Sequence, residues 1–154
     1  MASSVSFIVL LVITVARAAS AQDRQCDVQA YRDSDCVATI SFPYSCPSTT
    51  VDLTNLDFLK SCTSVNLRWA YPANNLTLIM GTHQHQAFTI SINNDRLMNF
   101  VSHVFRIIDD KETEVTTKDH KLIENSDSHY QIKLKLHVPP ELMPYLGFVD
   151  YNMY

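Results

Sequence analysis

Residues 131–138, QIKLKLHV, alternate strictly: Ile132, Leu134, Leu136 and Val138 point one way, and Gln131, Lys133, Lys135 and His137 point the other. Successive side chains of a strand project to opposite faces, so this segment fits a β-strand with one apolar and one wet face, the pattern of an antiparallel sheet. Pro139-Pro140 ends it, because proline has no N–H for the ladder. Other segments have the same character. LTLIM (76–80) and AFTISI (87–92) read as short strands, the second with Phe88, Ile90 and Ile92 on one face. HKLIE (120–124), followed by the turn-rich NSDS, reads as a hairpin partner for the 131–138 strand. GFVDYNM (147–153) predicts a closing strand that buries Val149, Tyr151 and Met153.

Two segments resist a strand reading. TNLDFLKSC has Thr54 three residues before Asp57, a capping-box-like arrangement that predicts a short helix ending near Cys62. In NDRLMNFVSHVFRIIDD, Leu97, Val101, Val104, Phe105 and Ile108 fit a helical face, whereas Val101, His103, Phe105 and Ile107 fit a strand. The β-branched and aromatic content favours the strand, with the segment in the core on either reading. The fold class expected is mainly β: an antiparallel β-sandwich with one short helix.

The cysteines narrow this further. Cys26, Cys36, Cys46 and Cys62 crowd into the front of the chain without the close CxxC pairs of a zinc site, so they read as two disulfides. Spacing leaves all three pairings open. Their expected context is set by FIVLLVITV (7–15), a nine-residue run apolar at every position but Thr14, followed by Ala19-Ser20-Ala21. That is the h-region and small-x-small cleavage pattern of a signal peptide, too short for a membrane span, although no Lys or Arg precedes it. Residues 1–21 are therefore expected to be a signal peptide, and residues 22–154 a single extracellular β-rich domain beginning at Gln22. Arg17 is the one charge removed, so a formal net charge of −4 becomes −5. A mildly acidic surface argues against nucleic acid and anionic membranes as partners, and no later stretch is apolar for long enough to span a bilayer. The chain ends at Tyr154 with no polar residues after the last predicted strand, which is compatible with continuation toward a membrane anchor.

Asn75-Leu76-Thr77 is the single Asn-x-Ser/Thr sequon, a candidate glycosylation site expected in an exposed turn after YPAN. His83 and His85, in GTHQHQAFTISI, are the candidate metal ligands: two side chains at i and i+2 on one strand face can share an ion. Zinc needs three protein ligands when catalytic and four when structural. His103, His120, His129 and His137 exist by count, but no motif brings one beside the pair, so the reading is two solvated strand-edge histidines and no metal. The carboxylates Asp109, Asp110, Glu112 and Glu114, and Asp33 with Asp35, lack EF-hand spacing and read as solvated turns. Nucleophile-elbow, HExxH, P-loop and dinucleotide-binding motifs are absent from the sequence. No catalytic residue and no cofactor is expected.

These features favour a secreted or cell-surface binding module that recognises a protein or glycan partner through its loops. Two alternatives remain: a small secreted metal-dependent enzyme centred on His83 and His85, and a lipid-carrier sandwich with an apolar cavity between its sheets.

Overall fold

The computed structural model describes residues 26–82, 84–115, 120–142 and 144–154. The segment read as a signal peptide lies outside these residues, and so does His83. Eleven strands are described: β1 (Gln29–Ser34), β2 (Val37–Ser41), β3 (Ser48–Asp52), β4 (Ser64–Ala70), β5 (Asn75–Gly81), β6 (Thr89–Asn93), β7 (His103–Ile108), β8 (Lys111–Glu114), β9 (Lys121–Asn125), β10 (Gln131–His137) and β11 (Leu146–Met153). They form a sandwich of two sheets, in the orders β1-β2-β4-β11-β6-β9 and β3-β5-β10-β7-β8.

The pairing is antiparallel except at β2–β4 and β3–β5. Both exceptions have one cause. From β2 to β5 the chain changes sheet at every strand, so β4 returns beside β2 and β5 beside β3 after passing over an end of the sandwich. Each end consequently collects loops. The pairings Ala70↔Leu146, Ser48↔Asn75 and Asn75↔His137 bring residues 42–47, 71–74, 138–142 and 144–145 to one end. Residues 53–63, 84–88 and 126–130 lie at the other, by the ends of β5 and β11.

The alternation read in the sequence is the alternation of burial. Val65, Leu67 and Trp69 of β4, Leu76, Leu78 and Met80 of β5, Ile132, Leu134 and Leu136 of β10, and Val149 and Tyr151 of β11 all face the core. Met153 is only half-buried. Burying a large aliphatic side chain contributes on the order of 1.5–3 kcal/mol, so these four strands supply a large share of the apolar driving force.

Three readings are corrected. Residues 53–59 form two 3₁₀ turns (Leu53–Asn55 and Asp57–Leu59) rather than a helix, and the cap is Asp52, which accepts from the Thr54 N–H at 2.9 Å. The short helix lies elsewhere, in α1 (Asn94–Leu97), capped by Asn93. NDRLMNFVSHVFRIIDD is thus split: its start is helical and its second half is β7. The expected hairpin between HKLIE and the 131–138 strand does not form either, because β9 pairs with β6 in one sheet and β10 with β5 and β7 in the other.

Parity in β7 also runs opposite to the strand reading. Val104 and Arg106 face inward, and Phe105 and Ile107 lie half-buried on the outside. Arg106 is 4% exposed and donates to the carbonyls of Gln131 (3.0 Å), Asn125 (3.2 Å) and Lys133 (3.3 Å), closing the gap where β9 and β10 part into different sheets. Glu124 lies 3.6 Å from its guanidinium. Burial holds the Arg106 guanidinium below its ordinary value against the pull of Glu124 and Asp127. Burial likewise raises the Glu124 carboxyl, although Arg106 pulls it the other way.

β11 is an inner strand, between β4 and β6. At its start a Cβ built on Gly147 would stand 2.6 Å from the Phe100 ring, inside any tolerated contact. We predict that Gly147→Ala costs about 1–3 kcal/mol in urea unfolding, because the ring must shift within a packed core. Gly81→Ala, whose Cβ would meet the Thr54 methyl at 3.0 Å, is the milder comparison; equal effects would contradict the account.

A second prediction concerns pH. Because the folded carboxyl of Glu124 titrates above its ordinary 4.5, folding favours its protonated form. Its contribution is therefore largest at low pH and declines as pH rises through the raised value. Glu124→Gln should gain stability relative to wild type as unfolding is measured from about pH 4 to about pH 7. A variant that instead loses ground over that range would show that attraction to Arg106 outweighs burial.

Candidate functional site

The disulfides are Cys26–Cys46 and Cys36–Cys62. Each fastens one end of the sandwich. Cys26–Cys46 holds the 42–47 loop against the start of the described chain, and Cys36–Cys62 ties the β1–β2 turn to the 53–63 segment. With sequence separations of 20 and 26, each is worth about 3 kcal/mol in the chain-entropy description.

Of the two candidate metal ligands, His85 is described: β5 ends at Gly81 and β6 begins at Thr89, so it sits in the intervening loop rather than on a strand face, exposed, with a left-handed φ of 47° and its ring beside Tyr130. Among the described residues no three His, Cys, Asp or Glu side chains are grouped to hold a metal. His103 and His137 face each other across β7 and β10, their rings 6.2 Å apart. His103 Nδ1 is 2.7 Å from Glu114, and His120 Nδ1 is 2.8 Å from Asp95. The acidic groups are surface features: Asp109 and Asp110 form the left-handed turn between β7 and β8, Glu112 accepts from Lys135, Asp35 pairs with Arg32, and Asp33 accepts from Thr39.

Asn75 is the first residue of β5 and half-buried, rather than part of an exposed turn. It lies on the outer face of the five-stranded sheet, where its Oδ1 accepts from His137 Nδ1 at 2.7 Å. That bond uses the oxygen, whereas a glycan attaches through Nδ2.

The site with a distinct character was not singled out in the sequence. Tyr44, Tyr71 and Tyr145, from three different loops, converge at the end held by Cys26–Cys46 and are 58%, 67% and 81% exposed. With Pro72 and Pro144 they line a groove of about 270 Å³. The Tyr71 and Tyr145 rings stand edge-to-face at 6.1 Å.

The groove is built by backbone contacts. Tyr71 N–H donates to the Tyr145 carbonyl at 2.9 Å, and Asn74 Nδ2 donates to the carbonyls of Tyr44 (3.2 Å) and Cys46 (2.5 Å). The short 71–74 loop is thereby bonded to both of its neighbours. Two of its residues, Tyr71 (φ 50°) and Asn74 (φ 61°), are left-handed. Asparagine tolerates this conformation, but for tyrosine it costs on the order of 1–2 kcal/mol, which the surrounding bonds must sustain. Distance in sequence hid the cluster: its tyrosines are separated by 27 and 74 positions, and only the weave of strands unites them.

No known family model matches the chain, and no curated protein sequence matches it. Among the described residues no helix is long and apolar enough to cross a membrane. The two disulfides are consistent with an extracellular location.

Proposed function

We propose that the chain is a secreted or cell-surface binding module that recognises an extracellular protein through the tyrosine groove. The observation that carries this reading is the convergence of Tyr44, Tyr71 and Tyr145 with two prolines on one rigid end. Tyrosine offers large contact area with few rotatable bonds and is enriched among residues that dominate binding energy. Among the described residues the groove is lined by aromatic rings and prolines, with no carboxylate, amide or guanidinium side chain. A glycan site ordinarily adds planar polar groups to bind the sugar hydroxyls. Slots between tyrosines and prolines suit instead an extended, proline-containing segment of a protein.

Secretion after cleavage at Ala21 and glycosylation at Asn75 belong to the same proposal. A glycan on Asn75 would cover the outer face of the five-stranded sheet, whereas Tyr71 directly follows β4 and Tyr145 directly precedes β11, both strands of the six-stranded sheet. The sugar and the groove therefore need not compete. The alternative centred on His83 and His85 has no support from the placement of His85 in an exposed loop.

The test uses the secreted, oxidised chain, its first residue determined, on arrays of extended proline-containing peptides and of glycans. Peptide binding is expected, and replacing Tyr71 and Tyr145 together by alanine should weaken it at least tenfold with an unchanged melting temperature. Binding that survives both substitutions, or glycan binding that they abolish, would overturn the protein reading.

A further inference from the structure

At the end opposite the tyrosines the two sheets part. Leu53 and Leu59 of the 3₁₀ turns, Met80 at the end of β5, and Tyr151 and Met153 at the end of β11 surround a cavity of about 330 Å³, with Cys62 on its wall. That is roughly twice the ~150 Å³ apolar cavity that takes benzene, so there is room for about ten carbons. Thr54, Lys60, Gly81 and Thr82 belong both to this cavity and to an adjoining space of about 300 Å³ that opens past His129 and Gln131. Ser61, Thr63 and Gln84 complete the lining, so the chamber has apolar and polar walls and opens into a polar vestibule.

Tyr151 makes this more than a gap in the packing. It is 4% exposed and lines the chamber, and a tyrosine so nearly buried ordinarily finds a hydrogen-bond partner. Its hydroxyl has none among the described residues, and burial alone acts on the phenol, pushing its titration up. The oxygen is not sealed in, because the buried unpartnered side-chain atoms are those of Asn66, Arg68, Trp69 and Asn94. Trp69 is the contrast: its indole N–H is closed off, with Phe42 and Phe100 packed against the ring. The Tyr151 hydroxyl opens onto space large enough for an acceptor.

We propose that this chamber binds a small, uncharged, mainly apolar molecule carrying one acceptor oxygen, such as an aliphatic ketone or ester, with the Tyr151 hydroxyl donating to that oxygen. The walls fit an apolar body, since Leu53 and Leu59 are rigid and Met80 and Met153 adapt to irregular shapes. The charge state follows from the donors: apart from Lys60 they are neutral hydroxyls and the Gln84 amide, too little to hold a buried carboxylate. The nearest cation, Lys60, is already paired with Asp57 at the rim. This site is separate from the tyrosine groove, and its failure would leave the groove untouched.

The experiment loads the oxidised, secreted chain with the fluorescent apolar probe N-phenyl-1-naphthylamine and displaces it with 2-nonanone, nonane or nonanoate. The ketone should displace the probe at a concentration at least tenfold lower than the carboxylate. Tyr151→Phe should weaken the ketone about tenfold, leave nonane unchanged, and melt at or above the wild-type temperature, since only an unpaired hydroxyl is lost. Met153→Trp, which fills the chamber, should abolish probe uptake. Four results would each overturn the proposal: no saturable uptake, a ketone bound equally by Tyr151→Phe, a preference for nonanoate, or a melting temperature lowered by several degrees in Tyr151→Phe.

Discussion

From β2 to β5 the chain changes sheet at every strand, and the rest of the molecule depends on that weave. It creates the two parallel pairs, since β2 meets β4 and β3 meets β5 only after an excursion through the opposite sheet. It sends connections over both ends of the sandwich, and a connection that crosses an end must be tied there. Cys26–Cys46 and Cys36–Cys62 supply one tie at each end. The polypeptide finishes in the same manner, with β11 inserted between β4 and β6 as the inner strand that completes the larger sheet.

The two ends differ in how they treat their polar groups. At the tyrosine end every loop is bonded to a neighbour: Tyr71 to Tyr145, and Asn74 to Tyr44 and Cys46. Aromatic rings are left outside while the backbone beneath them is satisfied, as suits a rigid contact surface. At the other end Tyr151 lines an open cavity between the sheets, and its hydroxyl has no hydrogen-bond partner among the described residues. Arg106 closes a third opening, where β9 and β10 separate, by donating to three carbonyls at once. Removing a buried guanidinium that serves three carbonyls would cost several kcal/mol.

Much of the frame was legible because alternation is a local signal. QIKLKLHV and GFVDYNM declare which face is buried, and β10 and β11 follow them, with Val149 and Tyr151 buried as expected. The two disulfides were legible by count, though their pairing was not, since spacing cannot choose among three connectivities. Parity failed at β7 because the inward position is held by Arg106, whose charge argues for the outside until its three carbonyl partners are known. HKLIE and the 131–138 strand are adjacent in sequence and turn-linked, so a hairpin was the economical reading. A weave between sheets leaves no trace in local periodicity. Thr54 resembled a helix cap, yet Asp52 two residues earlier took that role and the chain turned twice instead of winding.

The candidate sites were less legible still. The sequon at Asn75 and the His83–His85 pair are short motifs and announce themselves, whereas the tyrosine groove and the Tyr151 chamber exist only once distant segments meet. His85 also shows how a motif misleads. It lies on no strand face because β6 begins at Thr89, four residues after it.

The central claim is that each end of the sandwich is held as a separate unit by its own disulfide. Amide hydrogen exchange on chains lacking one disulfide at a time, Cys26→Ser with Cys46→Ser and Cys36→Ser with Cys62→Ser, tests it most directly. Loss of the first bond should raise exchange in residues 42–47, 71–74 and 144–146 and spare 53–63. Loss of the second should do the reverse. If removing either bond released both ends alike, the two would be one cooperative unit and the account would be wrong.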